Sequence, residues 1–232
     1  MKFINTISES LLHLFFPHVC SGCGSDLVNS DSFLCFKCAT ALPQTNFEKF
    51  KGNPIAKKFY GRLPIEQATA LYYFTKESLL QHLVHQLKYK GQKELGQQLG
   101  TIMGQSLKGS GQYNIDAVVP LPLFPGRERK RGYNQAELLC DGIADQYDIP
   151  VLRNVIIRPE HTETQTMKGR IERWKNIEGK FVLADPKPLI GRHILLVDDV
   201  ITTGATLESC GSALLSTSET LLSIACLCYS SR

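Results

Sequence analysis

The hydrophobic positions of the chain follow two different periods in turn. Six short segments have the apolar runs or the alternation typical of β-strands: 68–74, 115–119, 155–157, 181–183, 193–197 and 221–228. Four longer segments have the spacing typical of helices: 76–90, 95–108, 138–144 and the stretch that begins at 205. Because the two kinds of segment alternate, the pattern predicts an α/β fold whose mostly parallel sheet is flanked by helices.

The most informative segment is the run 194–206, close to the C-terminus. Four apolar residues are followed by Asp198 and Asp199, and a small, hydroxyl-rich turn at 202–206 leads into a helix. The end of a strand is where open α/β sheets bind ligands, and backbone N–H groups of such a turn bind a phosphate well. Carboxylates repel a phosphate but bind hydroxyls, so the run predicts a sugar 5-phosphate site. The alternative is a plain buried strand that ends in a polar turn.

The eight cysteines form two populations, and one of them has the spacing of a metal site. Cys20, Cys23, Cys35 and Cys38 make two CxxC pairs, which bring four thiolates onto one tetrahedral ion. Four sulfur ligands leave no open position, so we expect a structural Zn²⁺; iron is the alternative on the same ligands. Four reduced cysteines, or a redox pair, are the interpretation without a metal.

Length and composition limit the possibilities further. The 232 residues suffice for one α/β core and a small module, and we expect a cysteine module at 1–45, a linker at 46–65 and the α/β domain at 66–232. A net charge of +4 permits anionic ligands but does not by itself indicate nucleic acid. We expect a cytoplasmic protein without a membrane span, because no apolar run approaches about 20 residues and the N-terminal segment lacks a cleavage site.

Motifs along the whole chain add a family resemblance. After the cysteine module they are HQLKYKG at 85–91, VPLP at 119–122, RGYNQA at 131–136 and the run 194–206. The last of these matches the signature of phosphoribosyltransferases that use phosphoribosyl pyrophosphate. The complete set resembles the ComF family, competence-associated bacterial proteins related to those enzymes. Two departures are Tyr133, where the family often has Phe, and Glu128, which interrupts a basic run.

This resemblance implies a type I phosphoribosyltransferase-like fold with an N-terminal zinc ribbon. It also implies a ligand, phosphoribosyl pyrophosphate or a related sugar phosphate, that binds together with Mg²⁺. In such a site Asp198 and Asp199 hold the ribose hydroxyls. The residues that cradle the 5-phosphate are Thr202, Thr203, Gly204, Ala205 and Thr206, and those of the pyrophosphate loop are Pro120 and Leu121.

Cationic and loop residues complete the implied site. Arg131 is the candidate cation for the leaving group. The basic run 127–131 is predicted as a charged loop, and a solvated surface loop is the alternative to a role in binding. Lys88 approaches the ligand by resemblance, or is simply a positive charge at a helix C-terminus. The polar segment 158–176 resembles the family's flexible loop, and its alternative is a disordered linker. Its candidate residues are Thr162, Gln165, Arg170 and Arg173.

Two functions follow as hypotheses. In the first, the protein binds phosphoribosyl pyrophosphate with Mg²⁺ and transfers phosphoribose to an acceptor that the sequence does not identify. In the second, it is a competence or DNA-uptake factor that binds single-stranded DNA and partner proteins, and the phosphate site is regulatory or vestigial.

Overall fold

The structure, a computed structural model, describes residues 19–26, 28, 32–159 and 181–230. Its α-helices are α1 Phe36–Ala41, α2 Leu79–Tyr89, α3 Lys93–Ser110, α4 Pro125–Arg131, α5 Gln135–Tyr147 and α6 Ala205–Leu214. Its strands are β1 Gln67–Tyr73, β2 Ala117–Pro120, β3 Ile156–Ile157, β4 Val182–Leu183, β5 His193–Ile201 and β6 Leu221–Tyr229. Short 3₁₀ helices cover Phe47–Lys49, Ala56–Phe59 and Lys187–Leu189.

Four strands form one parallel sheet in the order β1-β6-β5-β2, and β3 and β4 form a separate antiparallel pair. The prediction of a mostly parallel sheet flanked by helices, together with a four-cysteine module, is confirmed. Strand β5 lies between β6 and β2, so its carboxyl end has a neighbouring strand end on each side. Any ligand at that end is therefore within reach of loops from three strands.

Both faces of β5 are covered, which explains its unbroken apolar sequence. Leu195 and Val197 join the core that lies beneath α2, α3 and α5, whereas Ile194 and Leu196 join the core beneath α6. A strand buried on both faces has no polar side to alternate with. The sequence predicted that β5 would end before the acidic pair. This is wrong, because Asp198 still pairs with Cys226 and the strand continues to Ile201.

Helices α3 and α5 pack unusually closely because glycines line their contact. A Cβ atom on Gly100 would lie 2.2 Å from the Leu139 carbonyl oxygen, and one on Gly142 would lie 2.1 Å from the Gln97 carbonyl oxygen. Neither position has room for any side chain, so the backbones touch directly. This contact holds α5, and with it the RGYNQA motif, against the rest of the core.

Two further expectations differ from the structure. The basic segment predicted as a loop is part of helix α4, which begins at Pro125, ends at Arg131 and is capped by Gly132 in the left-handed conformation. The segment 46–65, predicted as a linker, buries Ile55 and Phe59 completely. That segment is packed rather than exposed, and the domain boundaries stay a prediction. Among the residues that the structure describes, no helix has the length and apolar character needed to cross a bilayer.

Candidate functional site

The acidic pair lies at the centre of the sheet's carboxyl edge and has a cationic partner from another element. Asp199 is only 5% exposed, and its Oδ2 atom lies 2.6 Å from Nζ of Lys88, at the end of α2. The carboxylate of Asp198 accepts a hydrogen bond of 2.8 Å from the backbone N–H of Asp199. The structure therefore brings together three of the predicted site residues, Asp198, Asp199 and Lys88. The ion pair with Asp199 is a contact that a simple positive charge at a helix C-terminus would not need.

The environment of Asp198 disfavours its charged form. Desolvation by the surrounding core and the negative charge of Asp199 raise the pKa of Asp198 well above the ordinary carboxyl range. The N–H group of Asp199 and the ammonium of Lys88 oppose this shift but do not cancel it. Buried Asp199 and half-buried Asp198 thus offer more acceptor oxygens than one cation can pair with, and hydroxyl donors of a ligand would satisfy them.

The turn 202–206 lies between the end of β5 and the start of α6. Gly204 has φ +83°, and a Cβ on it would lie 3.2 Å from the ring of Phe59. The hydroxyl of Thr203 accepts a hydrogen bond from the Ala205 N–H at 3.4 Å. The first N–H groups of a helix have no intrahelical acceptor, so the turn directs donors and the positive end of α6 outward. This geometry suits an anion such as a phosphate.

The loop 120–122 is fixed beside the acidic pair. The N–H of Leu121 donates to the Val197 carbonyl oxygen at 2.9 Å, one residue before Asp198. The Leu121 carbonyl oxygen accepts from Nδ2 of buried Asn134 at 3.0 Å, while Oδ1 of Asn134 caps the N-terminus of α5. Sequence reasoning did not assign Asn134, although an asparagine directly before a helical pattern is a recognised capping signal.

The remaining RGYNQA residues connect this loop to α2. The Tyr133 hydroxyl donates to the Leu87 carbonyl oxygen, and Arg131 donates to Oε1 of Gln135 at 2.7 Å. The guanidinium of Arg131 also lies 5.4 Å from the ring centroid of Tyr89. Arg131, predicted as the cation for a leaving group, is thus held against the end of α2 near Lys88. Its role toward a ligand stays a prediction.

From residue 160 onward the predicted flexible loop lies outside the described residues, and with it Thr162, Gln165, Arg170 and Arg173. At its start, Arg158 is described. Its guanidinium lies 5.9 Å from the ring centroid of Phe124 and 5.4 Å from that of Phe181. The base of this segment is therefore anchored next to the cleft that Pro120 and Pro122 line.

The four paired cysteines meet in one cluster. Their sulfur atoms all lie within 4.8 Å of one another, and Cys23 Sγ is 3.7 Å from Cys35 Sγ. A tetrahedral site with Zn–S bonds of about 2.3 Å has sulfur atoms roughly 3.8 Å apart, so the geometry fits Zn²⁺ or iron. Burial opposes ionisation of Cys20, but N–H donors such as those of Cys35 and Gly22 lower the pKa of this thiol. Burial and the neighbouring thiols raise the pKa of Cys38.

We expect the purified protein to contain one zinc or iron ion per chain, and a Cys35→Ser variant to lose it and to melt at a lower temperature. The reason is that binding free energy at such a site is also folding free energy. Metal analysis and thermal unfolding measure both effects. Cys140→Ala, which removes a buried cysteine far from the cluster in sequence, is the control that should keep its metal. A metal-free native protein with four reactive thiols would rule out the site.

No family model matches the chain. Individual relatives nevertheless identify its family. The chain is 30% identical over 215 residues to DNA utilization protein YhgH of Escherichia coli O157:H7, a match that covers 90% of this chain and 89% of that protein. It is 25% identical over 220 residues to competence protein ComFC of Bacillus subtilis, covering 92% and 85% of the two chains. The chain belongs to the ComF family.

A shorter match supports the assignment. The chain is 44% identical over 94 residues to competence protein F of Haemophilus influenzae, which covers 40% of this chain and 41% of that protein. Among solved structures, the glutamine phosphoribosylpyrophosphate amidotransferase of B. subtilis aligns with a TM-score of 0.44 and 16% identity, over 62% of this chain and 30% of that one. The relatives named above confirm the ComF resemblance inferred from the motifs, and the roles of the individual site residues stay predictions.

Proposed function

We propose that this ComF protein binds phosphoribosyl pyrophosphate at the carboxyl edge of its sheet. One observation carries the proposal: the loop 120–122 is hydrogen-bonded to β5 one residue before the acidic pair, and the turn 202–206 follows three residues after it. In this proposal the turn supplies the donors for one phosphate, the acidic pair supplies acceptors for a diol, and the loop 120–122 contacts a second phosphate, all along the carboxyl end of β5. A ligand that matches all three is a ribose with a 5-phosphate and a further phosphate group at C1.

Each part of the chain has a distinct task in this proposal. The N–H groups of the turn 202–206 and the start of α6 bind the 5-phosphate. The carboxylates of Asp198 and Asp199 accept hydrogen bonds from the ribose 2′- and 3′-hydroxyls. Lys88 keeps Asp199 paired, and together with Arg131 it adds positive charge on the side where the loop 120–122 meets the pyrophosphate. The rest of the motif RGYNQA acts indirectly, because Asn134 holds that loop in its conformation.

The donor set is compatible with Mg²⁺ that accompanies the ligand, because carboxylate oxygens such as those of Asp198 and Asp199 are ligands that this ion prefers. When bound, Mg²⁺ supplies positive charge to the pyrophosphate oxygens. Transfer would break the bond between C1 and the pyrophosphate oxygen, release pyrophosphate and form a bond from C1 to the acceptor's nucleophile. Release of pyrophosphate that depends on an added acceptor would show such a transfer.

Titration calorimetry with phosphoribosyl pyrophosphate, in the presence and absence of Mg²⁺, tests the binding proposal. We expect saturable binding to the wild-type protein, stronger when Mg²⁺ is present, and competition by ribose 5-phosphate. Inorganic sulfate at the same ionic strength is the control for binding of any anion. If phosphoribosyl pyrophosphate does not bind at millimolar concentration with Mg²⁺, the proposal is wrong.

A second function has its own observation in its favour. Helix α4 exposes Arg127, Arg129 and Lys130, and its last residue, Arg131, lies against the exposed ring of Tyr89. Cations that contact the backbone and aromatic rings that stack on bases are the combination by which proteins bind single strands without sequence preference. We therefore propose single-stranded DNA as an additional ligand, in keeping with relatives named for competence and DNA utilization.

We expect the affinity for an oligothymidylate to fall as salt rises and to fall again when Arg127, Arg129 and Lys130 are all replaced by Gln. Each lost phosphate contact removes about 0.7 from the slope of log affinity against log salt, so three contacts flatten it by about 2. Fluorescence anisotropy over a salt series measures both effects. The control neutralises three exposed cations elsewhere, Lys51, Lys187 and Arg192. Equal slopes for both variants would exclude α4 as the binding surface.

A further inference from the structure

Helix α2 joins the four-cysteine cluster to the candidate ligand site. At the cluster, the amide of Gln86 donates to the Ser21 carbonyl oxygen at 2.9 Å, inside the first CxxC knuckle. Leu79, at the start of the helix, packs so closely on this knuckle that a Cβ on Gly22 would lie 2.8 Å from its Cδ1 atom. One face of α2 therefore rests on the metal-binding turn itself.

The last turn of the same helix contacts the candidate ligand site. Lys88 follows Gln86 by two residues and lies 2.6 Å from Asp199. The Leu87 carbonyl oxygen accepts from the Tyr133 hydroxyl, and Tyr89 lies against Arg131. Because an α-helix rises 1.5 Å per residue, the contact with the knuckle and the ion pair at the ligand site are about 3 Å apart along the axis.

Burial shows that α2 and the cysteine module share one core. Leu80, Leu83 and Leu87 are fully buried in the same hydrophobic cluster as Cys20 and Cys38. A helix of 11 residues is marginal by itself in water, so α2 depends on this packing for its position. Without a metal, the first CxxC turn would not be held in this conformation, and Leu79 and Gln86 would lose the surface that they contact.

We infer that the metal-bound cysteine module fixes α2 and so sets Lys88 against Asp199, which makes Gln86 a positioning residue for the ligand site. The structural half of this inference stands without the proposed function; its consequence for affinity rests on it. A displaced Lys88 leaves Asp199 buried without its cation, and an unpaired buried charge is costly. Loss of metal from cysteines that lie far from Lys88 and Asp199 in sequence therefore reaches the ligand through one helix.

Amine acylation followed by peptide mass spectrometry tests the structural half without any ligand. Lys88 is paired and its side chain is 20% exposed, whereas Lys90, two residues later, is exposed and serves as the internal control. We expect Gln86→Leu, which retains the metal, and Cys35→Ser, which loses it, to raise the acylation rate of Lys88 several-fold and to leave that of Lys90 unchanged. Gln81→Leu, on the exposed side of α2, should change neither rate. An unchanged rate at Lys88 in Gln86→Leu would overturn the inference.

A double-mutant cycle tests the consequence for the ligand. Gln86→Leu should weaken the binding of phosphoribosyl pyrophosphate several-fold in the wild-type background and leave it unaffected in a Lys88→Met background, because both changes act through the same ammonium group. Equal effects in both backgrounds would show that Gln86 acts by another route and would refute the coupling. Failure of the wild-type protein to bind this ligand would instead refute the proposed function, and the acylation result would still decide the structural half.

Discussion

Replacing Asp198 and Asp199 together by Asn should abolish measurable binding of phosphoribosyl pyrophosphate. Each carboxylate is proposed to accept a hydrogen bond from a ribose hydroxyl, and hydrogen bonds to charged groups contribute about 1.5–3 kcal/mol each. Loss of both therefore predicts a decrease in affinity of about 10²- to 10⁴-fold. Titration calorimetry measures it. Asp148→Asn is the matched control, since Asp148 is an exposed carboxylate in a left-handed conformation that Asn also adopts readily.

The two single variants should change stability in opposite directions, which separates loss of the ligand from loss of the fold. Asp199→Asn leaves Lys88 without its ion-pair partner, so it should lower the melting temperature. Asp198→Asn removes a carboxyl whose pKa is raised by desolvation and by Asp199, so it should raise the melting temperature while it weakens binding.

The pH dependence of the Asp198→Asn variant has a definite sign. In the wild type the pKa of Asp198 is higher in the folded chain than in the unfolded chain, so unfolding releases a proton. The contribution of Asp198 to the free energy of unfolding therefore falls as the pH rises above about 4. The Asp198→Asn variant lacks this carboxyl group and does not lose stability in this way. Its melting temperature should therefore exceed that of the wild type by more at pH 8 than at pH 5. An advantage that is equal at both pH values, or absent, would contradict the raised pKa.

Gly204→Val should disable the phosphate turn. At φ +83° a β-branched residue is strained, and its Cβ would lie 3.2 Å from the ring of Phe59. The turn must shift to relieve both effects, so its N–H groups no longer converge on a phosphate. If one or two hydrogen bonds to the phosphate are lost, the affinity for ribose 5-phosphate should fall about 10- to 100-fold. Calorimetry with ribose 5-phosphate, which carries no pyrophosphate, measures this contribution alone.

A glycine elsewhere provides the control for backbone strain. Gly111 ends α3 with φ +67°, and a Cβ on it would have no neighbour within 4 Å. Gly111→Val should therefore lower the melting temperature without affecting ligand affinity. If Gly111→Val weakens ribose 5-phosphate binding as much as Gly204→Val does, general destabilisation and not the turn accounts for the loss.

Local patterns were sufficient to predict most elements of the fold. The helical spacing of apolar residues located α2 and α3, and the apolar run at 193–197 located β5, because both periodicities follow directly from which side of an element faces the core. The basic run 127–131 is the exception, because it is predicted as a loop but lies in a helix. It lacks a buried residue, so no apolar periodicity marks it as a helix.

The same distinction applies to the candidate site, where some features follow from the sequence and others only from the tertiary structure. Sequence by itself determined that Asp198, Asp199 and the turn 202–206 lie together, because they are consecutive and their spacing along one chain needs no tertiary information. It also determined that four cysteines could share a metal. Only the tertiary structure decided that Lys88 pairs with Asp199, that Asn134 holds the loop 120–122, and that α2 connects the cysteine module to both. Those contacts join residues far apart in sequence, and they depend on strand order and helix packing, which no local pattern encodes.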